Sequence, residues 1–137
     1  TFYGPGTSLG VGGEILEMVR RRRMPVVAGG GGIWSFVHID DGARATVAAL
    51  DHGTPGLFNV VDDEPAPVAE WLPHLAAAVG AKPPMRLPGW VARPLIGQQG
   101  MSMMTRARGS SNAKARRELR WQPAYGSWRE GFRTGLG

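Results

Sequence analysis

Apolar residues recur along the chain in short blocks separated by Gly and Pro, and the spacing inside each block predicts its secondary structure. Ile15, Leu16, Met18 and Val19 form a stripe at helical spacing and predict a helix over 14–23. Glu14 and Glu17 in its first turns and the arginines at 20–23 complement the helix dipole. Pro25-Val26-Val27 predicts a short strand, and the glycines at 29–32 a flexible turn. Residues 33–39 alternate as a strand, with Ile33, Ser35, Val37 and Ile39 on one face and Trp34, Phe36 and His38 on the other. Asp40 or Asp41 is expected to cap a helix over 42–50, on which Ala43, Val47 and Leu50 share a face. Pro55-Gly56 ends it, and 57–61 predicts a second strand. Strand, helix and strand with so short a crossover suggest a right-handed parallel unit.

Val68, Leu72, Leu75 and Val79 predict a third helix over 68–79, stopped by Gly80, with Pro73 expected to kink it or delay its start. Residues 82–110 are rich in Pro, Gly and Met and give no readable period. Ser111 is placed as the cap of a short helix reaching Leu119. Ser127 opens the last helix, with Glu130 three residues on completing a capping box and Trp128 and Phe132 buried. The pattern is α/β, with too few strands to fill a comfortable sheet.

Composition narrows the picture. A chain of 137 residues with 42% hydrophobic and 20% charged residues can bury a real core. No apolar run is long enough to span a bilayer, and the opening residues do not form a secretory signal. Cysteine is absent, which fits a reducing compartment, so a cytoplasmic location is expected. The net charge of +5 reflects 16 Lys and Arg against 11 acids, with just Lys82 and Lys114 among the bases being lysine. A basic balance admits a nucleic-acid ligand, but four consecutive arginines point all round a helix, and Glu17 stands at i, i+4 from Arg21. A solvated helix end explains that tract better, so nucleic acid is disfavoured.

Candidate chemistry is sparse. The run 29–32 lacks the Gly-x-x-x-x-Gly-Lys spacing of a phosphate loop, and the strand that follows it is the wrong context for a dinucleotide fingerprint. His38 and His74 are far apart and no Cys pair exists, so no metal site is expected. No Gly-x-Ser-x-Gly is present. Tyr3 precedes Thr7 and Tyr125 precedes Arg129, so neither tyrosine has a lysine four residues later.

Four segments in order resemble one known family. Phe2-Tyr3-Gly4-Pro5-Gly6 resembles the turn that closes the Rossmann part of extended short-chain dehydrogenases/reductases, the NAD-dependent epimerase/dehydratase family. Residues 35–43, Ser-Phe-Val-His-Ile-Asp-Asp-Gly-Ala, resemble its strand–helix junction, and Phe58-Asn59-Val60 its following strand. Residues 111–123, ending Leu119-Arg120-Trp121-Gln122-Pro123, resemble its Lys-Ala-x-x-x-Leu-Gly-Trp-x-Pro element. The resemblance covers nearly the whole chain. It implies an α/β fold equal to the C-terminal, substrate-binding portion of an incomplete Rossmann-type enzyme, with 1–137 as one unit and the N-terminal nucleotide-binding part absent.

What the resemblance implies about function follows from that division. The pyrophosphate loop and the Tyr-x-x-x-Lys pair belong to the N-terminal part, so no catalytic residue is expected in this chain. NAD or NADP would be bound by the intact enzyme, with no tight binding by this chain alone. Thr1, Phe2, Gly4 and Pro5 are the cofactor-side candidates by position, and Phe2, Trp34 and Ser35 the substrate-side ones. Nucleotide-sugar epimerases of the family carry an Arg-Asp pair where this chain has Trp34-Ser35, and that Arg binds the substrate diphosphate. The change points to a ketone, a hydroxy compound or a less charged sugar, although Trp34 packing against the Gly-rich loop would explain it equally. Partners expected are a small-molecule substrate, the missing Rossmann portion and, for the isolated chain, a second copy of itself. The rival readings are a basic nucleic-acid-binding module and a partner domain completing an enzyme on another chain.

Overall fold

The computed structural model describes residues 1–52 and 55–137. The chain opens with strand β1 (Phe2–Tyr3), and the alternation of a strand sends Phe2 outward and buries Tyr3 completely. After a Gly-rich turn, helix α1 covers Glu14–Arg20 and buries Leu16 and Val19. It is shorter than the expected 14–23, because Arg22 takes a left-handed conformation (φ 60°) that no helix continues. Glu17 pairs with both Arg20 (3.2 Å) and Arg21 (3.8 Å), so the basic tract is in part internally compensated.

Strand β2 (Val26–Val27) is fully buried and leads into a single tight helical turn at Ala28–Gly30. The expected strand 33–39 is broken into β3 (Ile33–Trp34) and β4 (Val37–His38). The two halves serve different partners. β4 runs parallel to β1, with Phe2 opposite Val37 and Tyr3 opposite His38, while β3 pairs antiparallel with β5 (Ala66–Pro67). One face keeps its burial across the break, with Trp34, Phe36 and His38 all buried, but the alternation ends at β4, where Val37 on the other face is buried too. β2 pairs in parallel with β6 (Arg86–Leu87), which had no sequence signal.

Helix α2 spans Ile39–His52, so Asp40 and Asp41 lie inside its first turn and neither precedes it as a cap. The His38 ring takes that place, its Nδ1 accepting from the Asp40 backbone N–H at 3.2 Å. The expected strand at 57–61 is not formed: among the described residues no segment offers it a ladder, and the parallel unit built on it is not formed either. Phe58 and Val60 instead rest on a small cluster of Ala45, Ala115, Leu119 and Trp121.

Helix α3 (Val68–Ala78) starts where expected and runs through Pro73, burying Val68, Trp71, Leu72 and Leu75. The unread stretch contains helix α4 (Gly89–Thr105), whose two halves meet at Gly97 (φ 67°, ψ −177°). Helix α5 (Ala113–Glu118) has Asn112 at its N-cap; Ser111 Oγ still accepts from Ala113 N at 3.3 Å. Helix α6 (Trp128–Thr134) is capped by Ser127, whose oxygen accepts from Arg129 N at 3.1 Å. The capping box does not close through Glu130; the Ser127 hydroxyl donates to Glu64 instead.

One aromatic core holds these pieces together. Phe36 meets Trp71 and Phe132 edge-on, each at 5.3 Å between ring centroids, and Trp34 lies 4.9 Å from Trp71. Such pairs add about 0.5–1.5 kcal/mol each beyond area burial. Tyr3 enters the same core over Gly131, where any Cβ would overlap its phenol.

Candidate functional site

The opening turn is built by a glycine that has no alternative. Gly4 sits at φ 110°, and a Cβ there would lie 2.8 Å from His38 Nε2. His38 is itself buried: its Nε2 bonds the Gly135 carbonyl at 3.0 Å and its ring stacks on Tyr125 at 4.1 Å. Nδ1 thus meets a backbone N–H and Nε2 a carbonyl, the pairing that an Nε2–H ring satisfies. The junction 38–41 is therefore a structural tie. Asp41, fully buried, completes it by accepting from Ala124 N (2.8 Å) and Tyr125 N (2.9 Å).

Beside β3 lies a cleft in two connected parts that share Ile33 and Ser110. The larger, about 490 Å³, is bounded by Asp62, Pro65, Gly109 and Asn112; the smaller, about 220 Å³, by Thr1, Trp34, Ser35 and Arg108. Three of the residues expected from the sequence thus come together: Thr1, Trp34 and Ser35. Phe2 does not join them; its half-exposed ring lies over the start of α2, against Gly42. Gly4 is buried against His38, and Pro5 is exposed in the turn.

The polar atoms of Trp34 and Ser35 are already engaged. The Trp34 indole N–H donates to the Met103 carbonyl (2.9 Å), and Ser35 Oγ accepts from Ser110 N (2.8 Å). Both residues fasten the end of α4 and the loop after it, so they shape the wall of the cleft through surface and not through hydrogen bonds. Trp34 packs on Trp71 and Phe36, which makes it a core residue with one edge toward the cleft.

Two features of the cleft lay outside the sequence reading. Arg108 stands exposed at its rim with no hydrogen bond or ion pair among the described residues. It fell in the stretch without a readable period. Asp62 is 2% exposed, and its Oδ2 has no partner, while Oδ1 accepts from Glu64 N at 3.3 Å. Burial pushes its carboxyl up to about 7, with nearby Glu64 and Asp63 adding to the rise and backbone N–H groups of Glu64 and Trp128 opposing it. A buried carboxylate behind a cleft was signalled in the sequence by Asp62-Asp63 following an apolar run, although the run is not a strand. Asp63 differs from its neighbour: it is exposed enough to pair with Arg116 (2.8 Å) and to accept from Asn112 (2.7 Å).

No acid/base pair of the Tyr-x-x-x-Lys kind and no metal-ligating cluster occurs among the described residues. The arrangement can hold and shape a ligand, with the raised carboxyl of Asp62 at its edge.

No family model matches the chain. The sequence is 44% identical over 132 residues to a 3-diazoavenalumate denitrifying reductase of a Streptomyces species, a match spanning 96% of this chain and 43% of that protein. A human epimerase family protein solved with NADPH superposes with a TM-score of 0.77 at 22% identity, over 98% of this chain and 45% of its own. The dTDP-glucose 4,6-dehydratase of Bacillus anthracis, in complex with NAD, does so with a TM-score of 0.69 at 17% identity, over 99% and 41%. The chain spans less than half the length of each of these proteins.

Proposed function

Because this chain has the fold of the C-terminal portion of extended short-chain dehydrogenases/reductases, the NAD-dependent epimerase/dehydratase family, we propose that it forms the substrate-side wall of an NAD(P)-dependent oxidoreductase. The α/β class and the C-terminal position expected from the four sequence segments are borne out. The observation that carries the functional reading is the cleft beside β3, where Thr1, Trp34 and Ser35 converge under an unpaired Arg108.

In this reading the reaction is a reduction, since the relative at 44% identity is a reductase. NAD or NADP supplies the hydride, and residues outside this sequence bind the dinucleotide and move the proton. Thr1, Phe2, Gly4 and Pro5 are the nicotinamide-side candidates, while Trp34 and Ser35, without Phe2, border the substrate in this cleft. The apolar edge of Trp34 replaces a phosphate-binding guanidinium, so a ketone, a hydroxy compound or a less charged sugar fits better than a nucleotide sugar. One cation, Arg108, remains at the rim for a single anionic group on the substrate.

The test is reconstitution. Calorimetry on the purified chain should give no micromolar affinity for NAD or NADP, because it has no Gly-rich pyrophosphate loop. Co-expression with the part of the Streptomyces reductase that lies outside the match should restore NADPH binding. Micromolar binding by the chain alone, or none after reconstitution into a stable complex, would overturn the proposal. In the reconstituted protein Trp34→Arg should raise affinity for a nucleoside diphosphate; unchanged affinity makes Trp34 a packing residue alone.

A further inference from the structure

Between Glu70 and Glu118 the sequence has no acidic residue, yet it carries Lys82, Arg86, Arg93, Arg106, Arg108, Lys114, Arg116 and Arg117. This charge is not spread evenly over the surface. The left-handed Gly97 folds the two halves of α4 toward each other and brings the Met101 methyl to 3.3 Å from where a Cβ on Gly89 would stand. Between the halves lies a cleft of about 210 Å³ lined by Arg93 from the first half, Gln98, Ser102 and Thr105 from the second, and Arg106 at its end.

Every polar group here lacks an internal counter-charge. The side chains of Arg93 and Arg106 make no ion pair or hydrogen bond among the described residues, and neither do those of Gln98 and Ser102. The Thr105 hydroxyl alone is committed, donating to Met101 O at 2.7 Å. Two guanidiniums facing one cleft with no acid nearby sum their potentials instead of cancelling them. Lone surface cations would be solvated and of little use, but two planar forks lining one cleft with an amide and a hydroxyl match a group with several acceptor oxygens. A carboxylate is satisfied by one fork; a tetrahedral phosphate offers acceptors to both.

We propose that the cleft between the two halves of α4 is a binding site for the phosphate group of a small soluble phosphoester. It is separate from the cleft beside β3. Met103, which lines that cleft, lies on the opposite side of the second half of α4 from Met101 and Thr105, about 200° round the helix from each. The site therefore takes a second ligand and leaves the substrate cleft free.

Calorimetric titration of the whole chain with inorganic phosphate and with glycerol 3-phosphate, at low ionic strength and neutral pH, tests this. Millimolar or tighter binding is expected, with acetate much weaker. Arg93→Gln and Arg106→Gln should each weaken it by about tenfold. Arg133→Gln, which removes one exposed charge elsewhere, should change it by less than about twofold. Ser102→Asp, with its circular dichroism unchanged, should abolish binding by placing a carboxylate between the two guanidiniums. Absence of phosphate binding, equal losses in Arg133→Gln, or acetate binding as tightly as phosphate would each overturn the proposal. So would retention on phosphatidate vesicles without any response to the free phosphoesters.

Discussion

The aromatic core and the outer side of α2 both carry apolar side chains and end in opposite conditions. Around Phe36, the rings of Tyr3, Trp71, Trp128 and Phe132 are all fully buried; Tyr3, Phe36, Trp71 and Phe132 meet edge-on, and Trp128 lies tilted against Phe36 and Phe132. On α2 the inward residues Asp41 and Ala45 are buried, but Val47 is 56% exposed and Leu50 78%, and Phe2 at the start of the helix is 51% exposed. The first region closes on itself and holds the chain folded. The second is an apolar face without a cover among the described residues, as a helix in contact with another part of a larger enzyme would be. The side chains that hold the chain folded and those left exposed thus reside in different places.

Substitutions separate the two regions by size of effect. The largest loss is expected at the core: Trp128→Ala should cost about 3–5 kcal/mol, read from the denaturant midpoint. A cost near zero would mean that the core is not the structural centre described. Ser127→Ala should cost about 0.5–2 kcal/mol, because the α6 cap to Arg129 N is lost. It also removes the hydroxyl that, with Arg129, holds Glu64 below its ordinary value against the upward push of burial. An unchanged melting midpoint would show that the cap contributes nothing.

A pH profile sharpens the comparison further, because Asp62 adjoins the aromatic core and not α2. Its carboxyl rises from 3.8 to about 7 on folding, so the folded state binds the proton more tightly than the unfolded one. Stability should therefore fall as pH climbs between those two values and level off above the upper one. Asp62→Asn should flatten this slope, and an equal slope in both proteins would mean that another group carries it.

The smallest stability effect is expected on α2. Val47→Ser with Leu50→Ser should alter stability by no more than about 0.5 kcal/mol, since both side chains are already in water. The same pair should change association. The isolated chain is expected to self-associate at low micromolar concentration through this face, and the double variant to sediment as a monomer. A monomeric parent chain, or a variant that associates as strongly, would remove α2 as a docking face.

Much of the fold was legible because its elements obey local rules. The alternation at 33–39, the stripe of Val68, Leu72 and Leu75 and the Ser127 cap are set by side chains within a turn or a strand's length of one another. Where the sequence misled, a distant partner had won. Asp41 was read as a cap, yet its carboxylate answers two backbone N–H groups more than eighty residues away. The run at 57–61 has a strand's composition but no neighbour among the described residues to complete a ladder, and Gly97 lets one helix become two with a cleft between them. The candidate site was half legible: Thr1, Trp34 and Ser35 were found through the family resemblance, while Arg108 and Asp62 were not.

Composition, periodicity and the four ordered segments determined the α/β class, the buried aromatic face, the family resemblance and the lack of a Tyr-x-x-x-Lys pair. These are properties of residue type and short spacing, and no folding is needed to read them. Tertiary structure alone decided that the Trp34 indole N–H would serve Met103, that Asp62 would be buried without a partner for Oδ2, and that Arg93 and Arg106 would line one cleft. Each of those outcomes depends on which groups meet through space, and burial, not sequence distance, sets the energy of a charge or a hydrogen bond once they do.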